Sequence, residues 1–195
     1  MRCVYFRQRR GLLTGFLRVT MSAQELRKLY QLQWLPLSSP KLTPELSDWL
    51  SEETSMTVRL ERYCRELTVK VVREGFVGRQ ALLGHESGYS GFDNETRFWL
   101  REVILYGDGH PWLAGRTILP EDTLSGPEKS LMSLGESPLG RYLFSSPLLS
   151  RDFIVPGYSG SLRGRYSLLR LSGKPLILTE MFLPHSPPYT PRAKG

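Results

Sequence analysis

The segment Arg97–Tyr106 limits the fold more than any other part of the chain. Phe98, Leu100 and Ile104 fall on one face of its alternating pattern, and Trp99, Val103 and Leu105 on the other. A strand apolar on both faces must be covered on both sides, so it belongs inside a sheet with packed layers above and below. Arg101 interrupts the second of these faces. Gly107-Asp108-Gly109 then turns tightly into a further strand, Pro111–Leu119, and the pair reads as a hairpin.

Other strands surround this pair. From Glu66 the period is two: Leu67, Val69 and Val71 alternate with Thr68 and Lys70, and an unbroken alternation puts Arg73 on the apolar face. Arg151–Val155, Gly164–Leu171 and Pro175–Leu183 follow, the last two joined by a turn at Ser172-Gly173-Lys174. In the last strand Leu176, Leu178 and Phe182 share a face with Glu180. Thr43-Pro44-Glu45 opens a helix with a cap, a proline suited to the first turn and an acid at the positive end. Leu46, Trp49 and Leu50 then recur at helical spacing. Ser55-Met56-Thr57 opens a second helix, Ser125-Gly126-Pro127-Glu128 has the spacing of a capping box, and Pro138–Phe144 begins a short helical turn. Residues 78–96, rich in Gly, Ser and Asn, read as a loop. The pattern predicts an α+β domain, a single antiparallel β-sheet with flanking helices and helical excursions between strands.

With 195 residues, 40% of them hydrophobic, the chain is sized for one domain with its own core, placed at 21–195. A net charge of +7 raises nucleic-acid binding, and the charge distribution argues against it. Residues 1–20 carry five arginines (Arg2, Arg7, Arg9, Arg10 and Arg18) and no acid, and without them 21 basic residues face 19 acidic ones. Arg192 and Lys194 sit in the extreme tail. No basic face is left to track a phosphate backbone. The 1–20 segment reads as a basic N-terminal extension without fixed structure. Gly11, Thr14 and Gly15 break its short apolar run, which argues against an export signal. No stretch reaches the roughly 18 apolar residues of a membrane span. Cys3 and Cys64 suit neither a disulfide framework nor a metal site, which points to a reducing, cytoplasmic setting.

Common catalytic signatures are missing. His85, His110 and His185 are isolated, outside any metal-ligand spacing, and read as ordinary surface or loop histidines. Neither GxGxxG after a strand nor GxxxxGK[ST] occurs, so no nucleotide cradle is visible. Gly157-Tyr158-Ser159-Gly160 lacks the spacing of a nucleophile elbow. What remains is an arginine and a glutamate among apolar strand residues, Arg101 and Glu180. Burying a lone charge costs several kcal/mol, so a buried one needs a partner. These two either point to a rim, pair with each other or with neighbours such as Glu102 and Arg170, or are the few polar groups of a closed apolar pocket for a small charged ligand. The pattern alone leaves the three open.

A longer series of segments carries a family resemblance. It comprises Ser55-Met56-Thr57, Arg73-Glu74-Gly75-Phe76-Val77, Trp99-Leu100-Arg101-Glu102-Val103-Ile104-Leu105 and Gly109-His110-Pro111-Trp112-Leu113-Ala114-Gly115-Arg116-Thr117. It continues with Thr123-Leu124-Ser125-Gly126-Pro127-Glu128, Pro138-Leu139-Gly140-Arg141-Tyr142-Leu143-Phe144, Arg151-Asp152-Phe153-Ile154, and Leu171-Ser172-Gly173-Lys174-Pro175-Leu176 running to Thr179-Glu180. In this order and spacing, over about residues 43–184, the chain resembles the bacterial chorismate pyruvate-lyases of ubiquinone synthesis. Arg163 stands where family members often carry tryptophan.

The resemblance implies an antiparallel sheet with helical flaps over an enclosed pocket, and a cofactor-free lyase that eliminates pyruvate from chorismate to leave 4-hydroxybenzoate. The family's ligand contacts fall on Met56, Arg101, Leu139 and Glu180, with Arg73 as a supporting charge. Arg101 suits bidentate capture of the ring carboxylate. Met56 and Leu139 supply backbone groups and apolar walls. Glu180, the other catalytic candidate, lies near the ether, as a general acid for C–O cleavage or as an acceptor for the product's phenol proton; a concerted internal hydrogen transfer is the further option. Chorismate and 4-hydroxybenzoate are the implied partners, with no metal, no nucleic acid, no stable membrane insertion and a monomeric chain. The competing readings are non-catalytic modules for a small aromatic acid: a 4-hydroxybenzoate carrier, or an effector-sensing domain of similar fold. A sensor needs an attached DNA-binding domain, and about 40 residues ahead of the shared region are too few for one.

Overall fold

The computed structural model describes residues 24–36, 39 and 42–190. The extension at 1–20, Cys3, Arg192 and Lys194 lie outside them. Seven strands, β1 (Gln33–Trp34), β2 (Leu67–Gly78), β3 (Arg97–Gly107), β4 (His110–Pro120), β5 (Leu149–Ser159), β6 (Leu162–Leu171) and β7 (Lys174–Phe182), form one sheet. Its order is β1-β5-β6-β7-β4-β3-β2, with every neighbouring pair antiparallel. Helical segments are α1 (residues 24–29), α2 (Pro44–Leu50), α3 (Met56–Glu61), α4 (Gly84–Ser87) and α5 (Leu139–Phe144). The molecule is α+β, with an open antiparallel sheet and several short helices.

Turn chemistry sets the hairpins. Gly107 pairs with His110, and both residues between them have positive φ, Asp108 at 48° and Gly109 at 79°. That is a type I′ turn, whose twist matches the flanking strands. Asp108 Oδ1 also accepts from the backbone N–H groups of Arg65 and Glu66, each at 3.0 Å, which pins the start of β2 to the turn. Ser172 (φ 54°) and Gly173 (φ 79°) repeat the device between β6 and β7.

The sheet is covered on both faces, as the doubly apolar β3 demands. Arg101, Val103 and Leu105 look toward one face, together with Leu113, Leu178 and Glu180. Trp49, Leu50, Met56 and Leu60 of α2 and α3 cover one end of that face. Leu124, Leu131 and Leu143 cover the other, because the β4–β5 connection has to pass across β7 and β6 to reach its place in the sheet. Opposite, Leu26 and Leu29 of α1 pack on Ile104 and Ala114, and Phe92 packs on Phe98 and Leu100. Thr43 Oγ1 accepts from Leu46 N at 3.3 Å and Ser55 Oγ from Val58 N at 3.4 Å, so both expected caps form.

Several expectations need correction. Residues 78–96 are not a plain loop: they hold α4 and the 3-10 turns Arg79–Ala81 and Ser90–Phe92, held down by the fully buried Phe92. No capping box forms at Ser125. The following helix is a 3-10 segment, Gly126–Ser133, and the Ser125 hydroxyl instead donates to Asp122 O at 2.9 Å while accepting from Lys174 Nζ at 2.8 Å. The two-residue β1, too short to show a period, was not visible in the sequence. The alternation of β2 is broken by a bulge between Val71 and Arg73. Arg73 is therefore exposed and lies opposite Glu102, on the face turned away from Val71.

The α1 side of the sheet holds a buried charge network. Arg116 donates through Nε (2.7 Å) and Nη2 (2.9 Å) to Glu86 and through Nη1 (2.6 Å) to Glu102, which also accepts from Tyr30 Oη at 2.6 Å. Burial and the bond to Glu102 push the Tyr30 hydroxyl up to about 12. His85 is no surface histidine: its Nε2 lies 2.9 Å from Thr179 Oγ1, and its ring packs on Trp34 and Tyr166. Burial, aided by Arg116, pulls its pKa down to about 4. The unfolded chain therefore takes up a proton that the folded chain excludes between about pH 6.5 and 4. Stability from the neutral ring is full above that window and is lost as pH falls through it. Urea unfolding at pH 7.5 and 4.5 is expected to show about 1–3 kcal/mol less loss on acidification in His85→Gln than in the wild type; equal losses would contradict this.

Candidate active site

Between the sheet and the two helical coverings lies a mostly apolar cavity of about 550 Å³, its mouth included. Met56, Arg101, Leu139 and Glu180 all line it. The structure thus gathers four of the five residues singled out from sequence and leaves Arg73 outside.

Each comes from a different element. Met56 and Leu139 are the first residues of α3 and α5, so their N–H groups have no acceptor within their own helices. The two helices meet closely. A Cβ on Gly140 would fall 2.7 Å from Thr57 Oγ1 and 2.9 Å from Ser55 Oγ, so only glycine permits this approach. On the sheet, Glu180 of β7 is registered with Gly115 of β4, and Gly115 with Val103 of β3. Arg101 lies two residues along β3 from Val103. Two strand spacings across and two residues along put the Arg101 and Glu180 Cα atoms about 12 Å apart. Gly115 between them carries no side chain, which leaves room above the sheet.

Arg101 and Glu180 do not pair with each other, nor with Glu102 and Arg170. Arg101, 3% exposed, donates from Nη1 to Glu74 Oε1 at 2.6 Å and from Nη2 to the carbonyls of Gly135 (2.6 Å) and Ser137 (3.1 Å). Its Nε is buried without a partner among the described residues. Glu180 Oε2 accepts from Arg165 Nε at 2.7 Å, while Oε1 has no bond among the described residues. Arg165 Nη1 also donates to the carbonyls of Leu50 (3.3 Å) and Glu52 (2.5 Å), joining the end of α2 to the sheet. Glu102 belongs to Arg116, and Arg170 to Asp152 at 2.8 Å.

Three charged residues here escaped the sequence reading: Glu74, Arg151 and Arg165. Arg165 carried a usable signal, since it shares an alternating face with Ser167, Leu169 and Leu171. Glu74 and Arg151 did not. Each adjoins a bulge, between Val71 and Arg73 in β2 and between Arg151 and Phe153 in β5. A bulge changes which side chain faces the core. Val72 absorbs the extra residue in β2, so Glu74 takes the facing position that an unbroken strand would give Arg73.

The sequence profile of the family described as chorismate lyase matches residues 28–194. The chain belongs to the chorismate lyase family. A relative named chorismate pyruvate-lyase from Cronobacter sakazakii is 56% identical over 169 residues, 87% of this chain and 98% of that protein. A second of the same name, from Salmonella newport, is 52% identical over 87% of this chain and all of that one. Membership in the chorismate lyase family thus reaches beyond the 43–184 region in which motifs were legible. Among solved structures, the effector domain of PhnF from Mycobacterium smegmatis gives a TM-score of 0.44 at 13% identity, over 67% of this chain and 88% of that one, a likeness too loose to argue from.

The close approach at Gly140 is testable. Gly140→Ala is expected to cost about 1–3 kcal/mol in urea unfolding, and Thr57→Ala in the same chain to recover part of that loss. No loss on Gly140→Ala would mean that α5 does not need the contact.

Proposed function

We propose that this cavity is where the chain carries out the chorismate pyruvate-lyase reaction of its family, with Arg101 and Glu180 at opposite ends of the bound ring. The observation that carries the reading is that an always-charged guanidinium and a carboxylate, each with its own partner, line one apolar space floored by Gly115, about 12 Å apart at Cα by ideal strand spacings. Chorismate is a cyclohexadiene with a ring carboxylate and, at its far side, a hydroxyl beside an enolpyruvyl ether.

Arg101 holds the ring carboxylate through Nε and through whichever Nη donors it releases from Glu74 and the two carbonyls. The N–H groups of Met56 and Leu139 add donors, and the side chains add apolar walls. In the reaction the ether C–O bond breaks and the neighbouring hydroxyl-bearing carbon loses its hydrogen. The methylene carbon of the enolpyruvyl group gains a hydrogen and becomes the methyl of pyruvate. Atoms balance without a net proton, and aromatisation drives the step. A cyclic internal transfer moves the hydrogen directly between these carbons. The pairing with Arg165 favours Glu180 as an acceptor from the ring hydroxyl over a proton donor to the ether.

The short helices α3 and α5 act as flaps that part for entry and exit, so product release limits turnover. The chain works as a cytoplasmic monomer; among the described residues no helix is long and apolar enough to cross a membrane.

Purified protein and chorismate are expected to yield equimolar pyruvate and 4-hydroxybenzoate with an initial burst. Arg101→Ala raises KM by about 100-fold, in line with the loss of a buried charge-assisted pair. Glu180→Ala lowers kcat more than affinity, by about tenfold or more, whereas Glu180→Gln, which keeps an acceptor oxygen, retains most of it. Wild-type kinetics in Arg101→Ala and Glu180→Ala would remove the site assignment.

A further inference from the structure

Chorismate carries two carboxylates, and only one of them meets Arg101. Arg151 lines the same cavity and is not needed to hold the ring carboxylate. Its Nη1 donates to Ser167 Oγ at 2.8 Å, and its guanidinium carbon sits 5.4 Å from the centre of the Phe144 ring on α5. Nε and Nη2 are shielded from solvent yet have no hydrogen-bond partner among the described residues. The other two cavity arginines each have a carboxylate, Glu74 for Arg101 and Glu180 for Arg165. Arg151 has no such salt bridge among the described residues.

Two solvent-shielded guanidinium donors left unbonded are costly, and in chemical terms they point to an anion. Burial, with Arg165 nearby, pulls the Arg151 guanidinium down to about 10. The bulge that follows Arg151 puts Phe153 on the opposite face and leaves Arg151 in the cavity.

Sheet register fixes where its head group sits. Arg101 pairs with Thr117, Thr117 with Leu178, and Leu178 with Ser167, one residue per strand. Arg101 stands at one end of this row. Ser167, which anchors Arg151, stands at the other, about 14 Å away at Cα. Two guanidinium groups therefore approach the cavity from opposite ends, with the Arg165–Glu180 pair on the neighbouring row.

We propose that Arg151 is the second carboxylate-binding residue of the cavity, taking the carboxylate of the enolpyruvyl arm through Nε and Nη2. This rests on the lyase reading of the cavity. It has a consequence peculiar to this position: 4-hydroxybenzoate has lost that arm, so Arg151 distinguishes substrate from product, whereas Arg101 contacts both.

The test compares kcat/KM for chorismate with the dissociation constant of 4-hydroxybenzoate in the wild type, Arg151→Gln and Arg151→Lys, with thermal melting as a folding control. Arg151→Gln is expected to lower kcat/KM by about 100-fold, the scale of a lost charge-assisted pair, while 4-hydroxybenzoate affinity stays within about threefold. Arg151→Lys, which keeps the charge without the planar fork, recovers part of the rate. A kcat/KM within threefold of wild type in Arg151→Gln overturns the assignment, as does an equal loss of affinity for substrate and product. If Arg151→Gln does not fold, Arg151→Lys decides: a drop of about tenfold toward chorismate alone supports the role, and unaltered values refute it. A wild type that binds 4-hydroxybenzoate and consumes chorismate keeps the underlying lyase reading intact whatever the variants do. A wild type that does neither removes both.

Discussion

The Arg165–Glu180 ion pair is the fixed point of the cavity. Its side chains are 1% and 7% exposed, so both charges are almost wholly withdrawn from water. Such a pair is tolerated only with good geometry and with its remaining donors satisfied. Arg165 answers that condition at Nη1, which reaches the carbonyls of Leu50 and Glu52. The same side chain thus positions the carboxylate and ties the covering segment to the sheet. Removing Arg165 would strand Glu180 in an apolar site and release the α2–α3 connection together.

The second constraint is that β3 carries charge on both faces. Arg101 turns to the cavity and Glu102 to the opposite layer, where Arg116 and Tyr30 complete its hydrogen bonding. Neither arrangement works in an open, one-sided sheet, because each needs a covering layer to supply partners. Gly135 and Ser137 supply carbonyls to Arg101 from the crossing 121–148 segment. Glu86 supplies its carboxylate to Arg116 from α4. The polar interior of each layer is therefore assembled from connections as much as from strands.

Much of the fold was legible because strands and helices write their periods locally. The β3–β4 hairpin, the β6–β7 turn, the caps at Thr43 and Ser55 and the facing of Glu180 all follow from residues close in sequence. The family resemblance pointed to Met56, Arg101, Leu139 and Glu180, four residues that do line one cavity. Arg73 was misplaced for a physical reason. A single inserted residue reverses the facing of a strand beyond it, and nothing in Val71-Val72-Arg73 marks where the pairing with β3 slips. The same slip, in β5, separates Arg151 from Phe153.

By itself the sequence determined the α+β class, the double coverage of β3, the family and the residue types at the cavity's two ends. Those properties reside in spacing and in chain order. The tertiary structure alone decided who partners whom: Arg101 with Glu74, Glu180 with Arg165, Arg116 with Glu86 and Glu102, and Arg151 with no carboxylate among the described residues. Charge pairing between residues 14 to 30 positions apart in the chain depends on register, bulges and the path of the crossing segment. Each of these is set only when the strands align and the connections pack down on them.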